Sequence, residues 1–146
     1  MMPPGPASVL RTELAAQVLR GFGRARIRVQ GTSMLPSLRP GDEIELRCVS
    51  SRQIEISDVV AYRRDGRLFV HRVVEKNSLQ ELVTRGDTLP QPDAPVCESE
   101  LLGLVSAVRR DGENVTFHSS FAQRATAALF RRSQLCAAVF LKVVTL

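Results

Sequence analysis

The stretch Val59-Val60-Ala61-Tyr62-Arg63-Arg64-Asp65-Gly66-Arg67-Leu68-Phe69-Val70-His71-Arg72-Val73-Val74-Glu75 decides the fold. Two runs rich in β-branched and aromatic residues flank Asp65-Gly66, the dipeptide that a two-residue hairpin turn favours because both of its residues need positive φ. The spacing predicts strands over residues 59–63 and 68–75. The same signal returns at Asp111-Gly112, between strands expected over 101–109 and 114–118. Alternating patterns predict further strands over 26–30, over 43–48 with Ile44, Leu46 and Cys48 on one face, and over 79–84. Six or seven short strands at tight spacing imply a mainly β fold, an antiparallel sheet or partly open barrel.

Helical spacing appears at either end. Val9, Leu10, Leu14, Val18 and Leu19 predict a short helix over residues 7–20, ended by Gly21 and Gly23. Ser120 and Gln123 fit a capping box. Beyond them Arg124, Arg131 and Lys142 share a stripe opposite apolar Phe121, Leu129, Phe130, Leu135, Val139 and Phe140, the pattern of an amphipathic helix. The expected organisation is an N-terminal helical segment (1–24), a β domain (25–119) and a basic C-terminal amphipathic helix (120–146).

At 146 residues, with 44% hydrophobic and 24% charged residues, the chain has the composition of one globular domain rather than of disorder or coiled coil. Three cysteines, Cys48, Cys97 and Cys136, form no CxxC or CxxH, so neither a disulfide framework nor a zinc site is expected, and a reducing compartment is the simpler reading. The net charge of +5 is uneven: residues 1–39 carry +5, residues 40–119 carry −4 and residues 120–146 carry +4. Trp is absent and Tyr occurs once, so nucleic acid is not an expected partner. The basic flanks suit a membrane surface or a partner instead. No secretory signal and no run approaching the ~18–20 apolar residues of a membrane span is read. A cytoplasmic protein is expected, its C-terminal helix either packing its apolar face on the β core or touching the inner membrane face peripherally.

The segment Gly31-Thr32-Ser33-Met34-Leu35-Pro36, followed by Gly41-Asp42, places a serine in a tight turn. A serine there is commonly only a cap or a hydrogen-bonding residue. A nucleophilic serine needs a base and usually a group that orients the base. The two histidines are His71, inside an apolar strand where histidine is commonly a core residue, and His118, read as structural or surface.

The ordered set formed by these boxes, Asp58-Val59-Val60-Ala61-Tyr62, Val70-His71-Arg72-Val73, and Thr84-Arg85-Gly86-Asp87 through Asp93, resembles the serine peptidase superfamily of type I signal peptidases and self-cleaving SOS-response repressors. The resemblance covers residues 27–108. Where bacterial signal peptidases carry a lysine base, this chain has His71, as in the archaeal and endoplasmic-reticulum branch. The resemblance implies Ser33 as nucleophile and His71 as general base. Histidine titrates near ~6.5 and accepts a proton near neutral pH without the burial that a lysine requires. Two carboxylates match the acidic box. The histidine branch favours Asp93 as the orienting group, with Asp87 as support.

Gly31, Thr32, Met34 and Pro36 are the implied substrate-binding residues, although Met34 reads equally well as a buried gap-filler. In the family the substrate binds as an added strand, with small residues just before the scissile bond. The Ser33 N–H is the first oxyanion donor. Position 31 lacks the hydroxyl of some relatives, leaving the second donor to the Thr32 hydroxyl or another N–H. Two departures stand out. Ser57 replaces a common glycine, and no N-terminal membrane anchor is read. The expected function is therefore a serine endopeptidase of signal-peptidase type, needing no metal or cofactor, with a non-catalytic peptide-binding or regulatory module on the same fold as the alternative.

Overall fold

The structure is a computed structural model that describes residues 2–117. Among the described residues it contains one α-helix, α1 (Pro6–Phe22), a single 3-10 turn (Ser51–Gln53) and seven strands: β1 (Arg24–Arg28), β2 (Glu43–Arg47), β3 (Val59–Arg64), β4 (Arg67–Lys76), β5 (Leu82–Arg85), β6 (Leu101–Arg110) and β7 (Glu113–Val115). All strands join one antiparallel sheet in the order β1-β2-β6-β3-β4-β5, with β7 also paired to β6. The mainly β fold with an N-terminal helix is as the sequence implied. The amphipathic helix expected over 120–146, with its membrane contact, lies outside the described residues, as do His118 and Cys136. Among the described residues no helix is long and apolar enough to cross a membrane.

Both Asp-Gly hairpins form. Asp65 and Gly66 have φ of 52° and 71°, and Asp111 and Gly112 have 52° and 81°. Positive φ at both turn positions matches the twist of the flanking strands. The strand β3 is buried on both faces, which explains its unbroken apolar run. Val59 and Ala61 join a core with Ile44, Leu46, Val105 and Val108. Val60 and Tyr62 join a second core with Ile54, Val73, Leu82, Val96 and Leu104.

Some boundaries move for physical reasons. The expected strand over 79–84 begins only at Leu82. The Asn77 carboxamide oxygen accepts from the Leu79 and Glu81 N–H groups (2.9 and 3.0 Å) and diverts them from the ladder. Cys48 lies beyond β2 and is exposed. The helix passes through Gly21 and stops at Gly23, whose φ of 72° closes the end with an N–H bond to the Leu19 carbonyl. Its buried face is also not the large-residue stripe. Thr12, Ala15, Ala16 and Leu19 face the core, while Leu10 and Leu14 are exposed. Small residues let the helix lie close to the sheet, and larger ones at those positions would hold it off.

A charged clasp organises the loop between β5 and β6. Arg64 donates to both carboxylate oxygens of Glu100 (2.8 and 2.9 Å) and to the carbonyls of Ala94 and Pro95 (3.1 and 2.9 Å). Its guanidinium lies over the Tyr62 ring, 5.3 Å from the centroid. These bonds hold the Glu100 carboxyl down at about 2, against partial burial that works the other way. A depressed folded-state value means a contribution present above the unfolded pKa and lost as pH falls toward 2. We expect Glu100→Gln to be less stable than the parent by about 1–2 kcal/mol at neutral pH. That gap should close between about pH 4.5 and 2 when urea midpoints are compared. A gap that is constant across this range counts against the clasp.

Ser57 has φ 80°. A side chain in this region costs about 1 kcal/mol, partly offset in glycine by its greater unfolded-state freedom. Ser57→Gly should therefore stabilise the fold by roughly 0.5 kcal/mol in a denaturant titration. A destabilised variant would contradict this reading.

Candidate active site

Ser33 sits in the turn between β1 and β2. The turn is anchored from below, because Met34 and Leu38 are buried in the first core and the Leu38 N–H bonds the Met34 carbonyl (2.9 Å). At its far end Asp42, 2% exposed, accepts from the Arg39 N–H (2.8 Å) and from Arg110 on β6 (2.9 and 2.7 Å). The Arg110 hydrogen bonds hold the Asp42 carboxyl below its usual range, against the cost of burial. The turn is thereby tied to the sheet at both ends.

From the other side the β5–β6 loop meets the same turn. The Thr88 N–H and hydroxyl both donate to the Ser33 carbonyl (2.9 and 3.2 Å). Gly86 makes this approach feasible. A β-carbon there would lie 2.9 Å from the Ser33 carbonyl oxygen and 2.9 Å from Leu89, closer than atoms tolerate. The Ser33 N–H donates to no other group among the described residues.

His71 lies on β4, paired with Val60 of β3, and is 5% exposed. Tyr62 stands edge-on to its ring at 6.2 Å and Phe69 tilts against it at 6.0 Å. The two ring nitrogens face different partners. Nε2 is 3.2 Å from the Ser33 hydroxyl, and Nδ1 is 2.6 Å from Asp93 Oδ2. A carboxylate at Nδ1 selects the tautomer with the proton there, which leaves Nε2 free to accept the serine proton.

Asp93 is itself held in place. Its Oδ2 also accepts from the Thr84 hydroxyl (2.7 Å), and its N–H donates to the Thr84 carbonyl (2.7 Å). Tyr62 lies beside the same two groups, and burial pushes its phenol up to about 12, so it remains a neutral donor. The Arg64 clasp fixes the two residues that follow Asp93.

Asp87 does not reach the histidine, so the catalytic support expected of it is corrected to a structural role. Arg72 grips it through Nε and Nη2 (2.9 and 3.0 Å), and the Ser37 hydroxyl donates to it (2.9 Å). Arg72 also donates to the Ser57 carbonyl (2.9 Å). Burial alone would raise the Asp87 carboxyl. The bonds from Arg72 and Ser37 outweigh it and hold the group below the usual range. Asp87 thus ties the serine turn to β4. Its partner Arg72 is the β4 residue after His71, so Asp87 bonds that neighbour and not the histidine.

Of the expected substrate-binding residues, Gly31 and Met34 line a groove that ends at Ser33 and His71. Met34 is nonetheless mostly core, 3% exposed. Thr32 and Pro36 are not among the residues lining that groove. Thr32 instead offers its carbonyl to the Thr88 hydroxyl (3.4 Å).

Thr84, Tyr62, Thr88 and Arg64 belong to the site and were not singled out from the sequence. For Thr84 a signal existed, since a threonine two residues from buried Leu82 shares its inward face. For Arg64 none did, because its partners lie thirty or more residues away. No family model matches the chain, and no curated protein matches it in sequence.

Proposed function

We propose that the chain is a serine endopeptidase of signal-peptidase type that cuts polypeptides with Ser33 as nucleophile, His71 as general base and Asp93 as the orienting carboxylate. One observation carries the reading: the unbroken hydrogen-bond line from Ser33 Oγ through both nitrogens of His71 to Asp93. The line is partly buried around His71, and Thr84 gives its Asp93 end a second donor.

In the first step Oγ attacks the scissile carbonyl carbon while its proton passes to His71 Nε2. The carbonyl electron pair moves onto oxygen, where the Ser33 N–H can donate to it. The imidazolium, stabilised by Asp93, then protonates the leaving nitrogen as the C–N bond breaks. This leaves an ester on Ser33. Water attacks the ester and gives a proton to Nε2, the Oγ–C bond breaks, and Oγ recovers its proton. Every transfer runs through groups of this chain, and the only co-reactant is water.

Turnover of an alanine-rich peptide should fall by about 10⁴-fold or more in Ser33→Ala, and His71→Ala should come close to it, because the members of such a set act as a unit. Labelling by a fluorophosphonate should be lost in both. Parent-like cleavage by either variant would sink the mechanism, and a parent that neither cleaves nor is labelled would favour a non-catalytic peptide-binding module. The rate should drop on the acid side of its profile, since a protonated imidazole has no lone pair for the serine proton.

Asp93→Asn and Asp87→Asn separate the two carboxylates. The first should lower kcat by about 10²–10⁴-fold with little change in KM, through loss of the tautomer and of the imidazolium partner. The second loosens the Arg72–Ser37 tie, and its main expected effect is a lowered unfolding midpoint. Equal losses of kcat in the two variants would refute the assignment.

A further inference from the structure

The groove that ends at Ser33 and His71 has a volume of about 1140 Å³. Its walls are α1 on one side and, on the other, β1 and the first half of β4. Each of these strands has an unused edge. Among the described residues β1 pairs only with β2, and residues 67–71 of β4 pair only with β3, since β5 joins at Arg72. Unpaired N–H and C=O groups on facing edges suit the backbone of an extended peptide. Half-buried Val18, Ile27, Val29, Leu68 and Val70 pack along the groove and receive alternate side chains.

The charge of the groove is one-sided. Its charged lining residues are Arg11, Arg26, Arg28 and Arg67, with no Asp or Glu among them. Three of them lie in residues 1–39, which carry +5, and Arg67 in the net acidic stretch 40–119. Arg26 is met by Glu43 and Glu45 at 3.9 and 3.8 Å. Arg67 donates to the Met2 carbonyl and has no acidic partner among the described residues. Arg11 and Arg28 likewise have no acidic partner among the described residues. Three of the arginines that line the groove therefore have no acidic partner among the described residues.

We propose that the groove selects a polypeptide with Asp or Glu about four residues from the bond that is cut, recognised by Arg11, Arg28 and Arg67. The proposal rests on the peptidase reading above and adds its substrate class. The spacing follows from the strand. Arg67 precedes His71 by four residues, roughly 13 Å at ~3.3 Å per residue. Arg28 precedes Ser33 by five. Such partly exposed ion pairs are individually weak and screened by salt. Their sum sets a preference rather than an absolute requirement. The paired strand edges and apolar floor favour a peptide over a lipid headgroup or a nucleic acid, which carry the same charge without an extended amide backbone.

The test uses full-length Ser33→Ala protein, in which binding is read without cleavage. Fluorescein-labelled twelve-residue peptides with an Ala-Ser-Ala centre carry two Glu, two Gln or two Lys four residues to one side of that centre or the other. Anisotropy titrations should give binding about three- to tenfold tighter for one Glu peptide than for its Gln twin at 50 mM salt, and the advantage should shrink at 500 mM. Replacing Arg11, Arg28 and Arg67 by Gln should abolish the advantage, and replacing them by Lys should keep most of it while thermal melting checks the fold. Equal affinity for the Glu and Gln peptides, a Glu preference that survives the Gln variants, or no binding of any peptide overturns the proposal. So does displacement of the Glu peptide by anionic phospholipid vesicles or a short oligonucleotide at lower concentration than by unlabelled peptide. Cleavage by the parent without any acid preference removes this inference and leaves the peptidase standing. Acid-selective binding without cleavage does the reverse.

Discussion

The strand β4 changes its ladder partner along its length, and the site depends on that change. Residues 72–76 pair with β5 and residues 67–72 with β3, so the two ladders overlap only at Arg72. Among the described residues, 67–71 have β3 alone. His71 is the last residue before β5 joins. A β5 running the full length of β4 would cover the histidine with backbone. Its early departure opens a gap on the free side, and two loops enter it. The serine turn reaches Nε2 from one direction, and the loop after β5 brings Asp93 to Nδ1 from the other. The same gap continues as the groove beside α1.

The two loops are fastened to each other as well as to the sheet. Thr88 holds the Ser33 carbonyl, and Asp87 is shared by Arg72 and Ser37. These bonds carry no proton of the proposed reaction. They fix the separation of nucleophile and base, and an error of about 1 Å there is enough to cost a large part of the rate. The cluster of hydroxyls and ring edges around Asp93 does similar work on its carboxylate, which receives two donors on one oxygen.

Much of this was legible in the sequence. The Asp-Gly pairs located both hairpins because that turn admits few other residues. The alternating and continuous apolar runs located the strands, since burial on one face or two leaves a distinct pattern. The order of the boxes drew Ser33, His71 and Asp93 together as candidates. What stayed hidden depends on contacts between distant segments. Nothing near Arg72 announces that it, and not His71, would take Asp87. Nothing near Arg64 announces the loop it clasps. The helix was legible in part. The spacing of its apolar residues located the helix but not its buried face, which takes Thr12, Ala15, Ala16 and Leu19 and leaves Leu10 and Leu14 outside.

That alanine side has a consequence for how the groove is dimensioned. Thr12, Ala15 and Ala16 form the seam between helix and sheet, and the helix is held near its middle by the Glu13–Arg63 pair and at its C-terminal end by Gly23. The distance from α1 to the facing strand edges is then set by small side chains, of which Thr12 and Ala15 also line the groove. The seam behaves as a spacer whose thickness is written in two or three small side chains. Selectivity in such an architecture can drift through volume changes at Ala15 or Ala16 while every residue of the Ser33–His71–Asp93 line stays as it is.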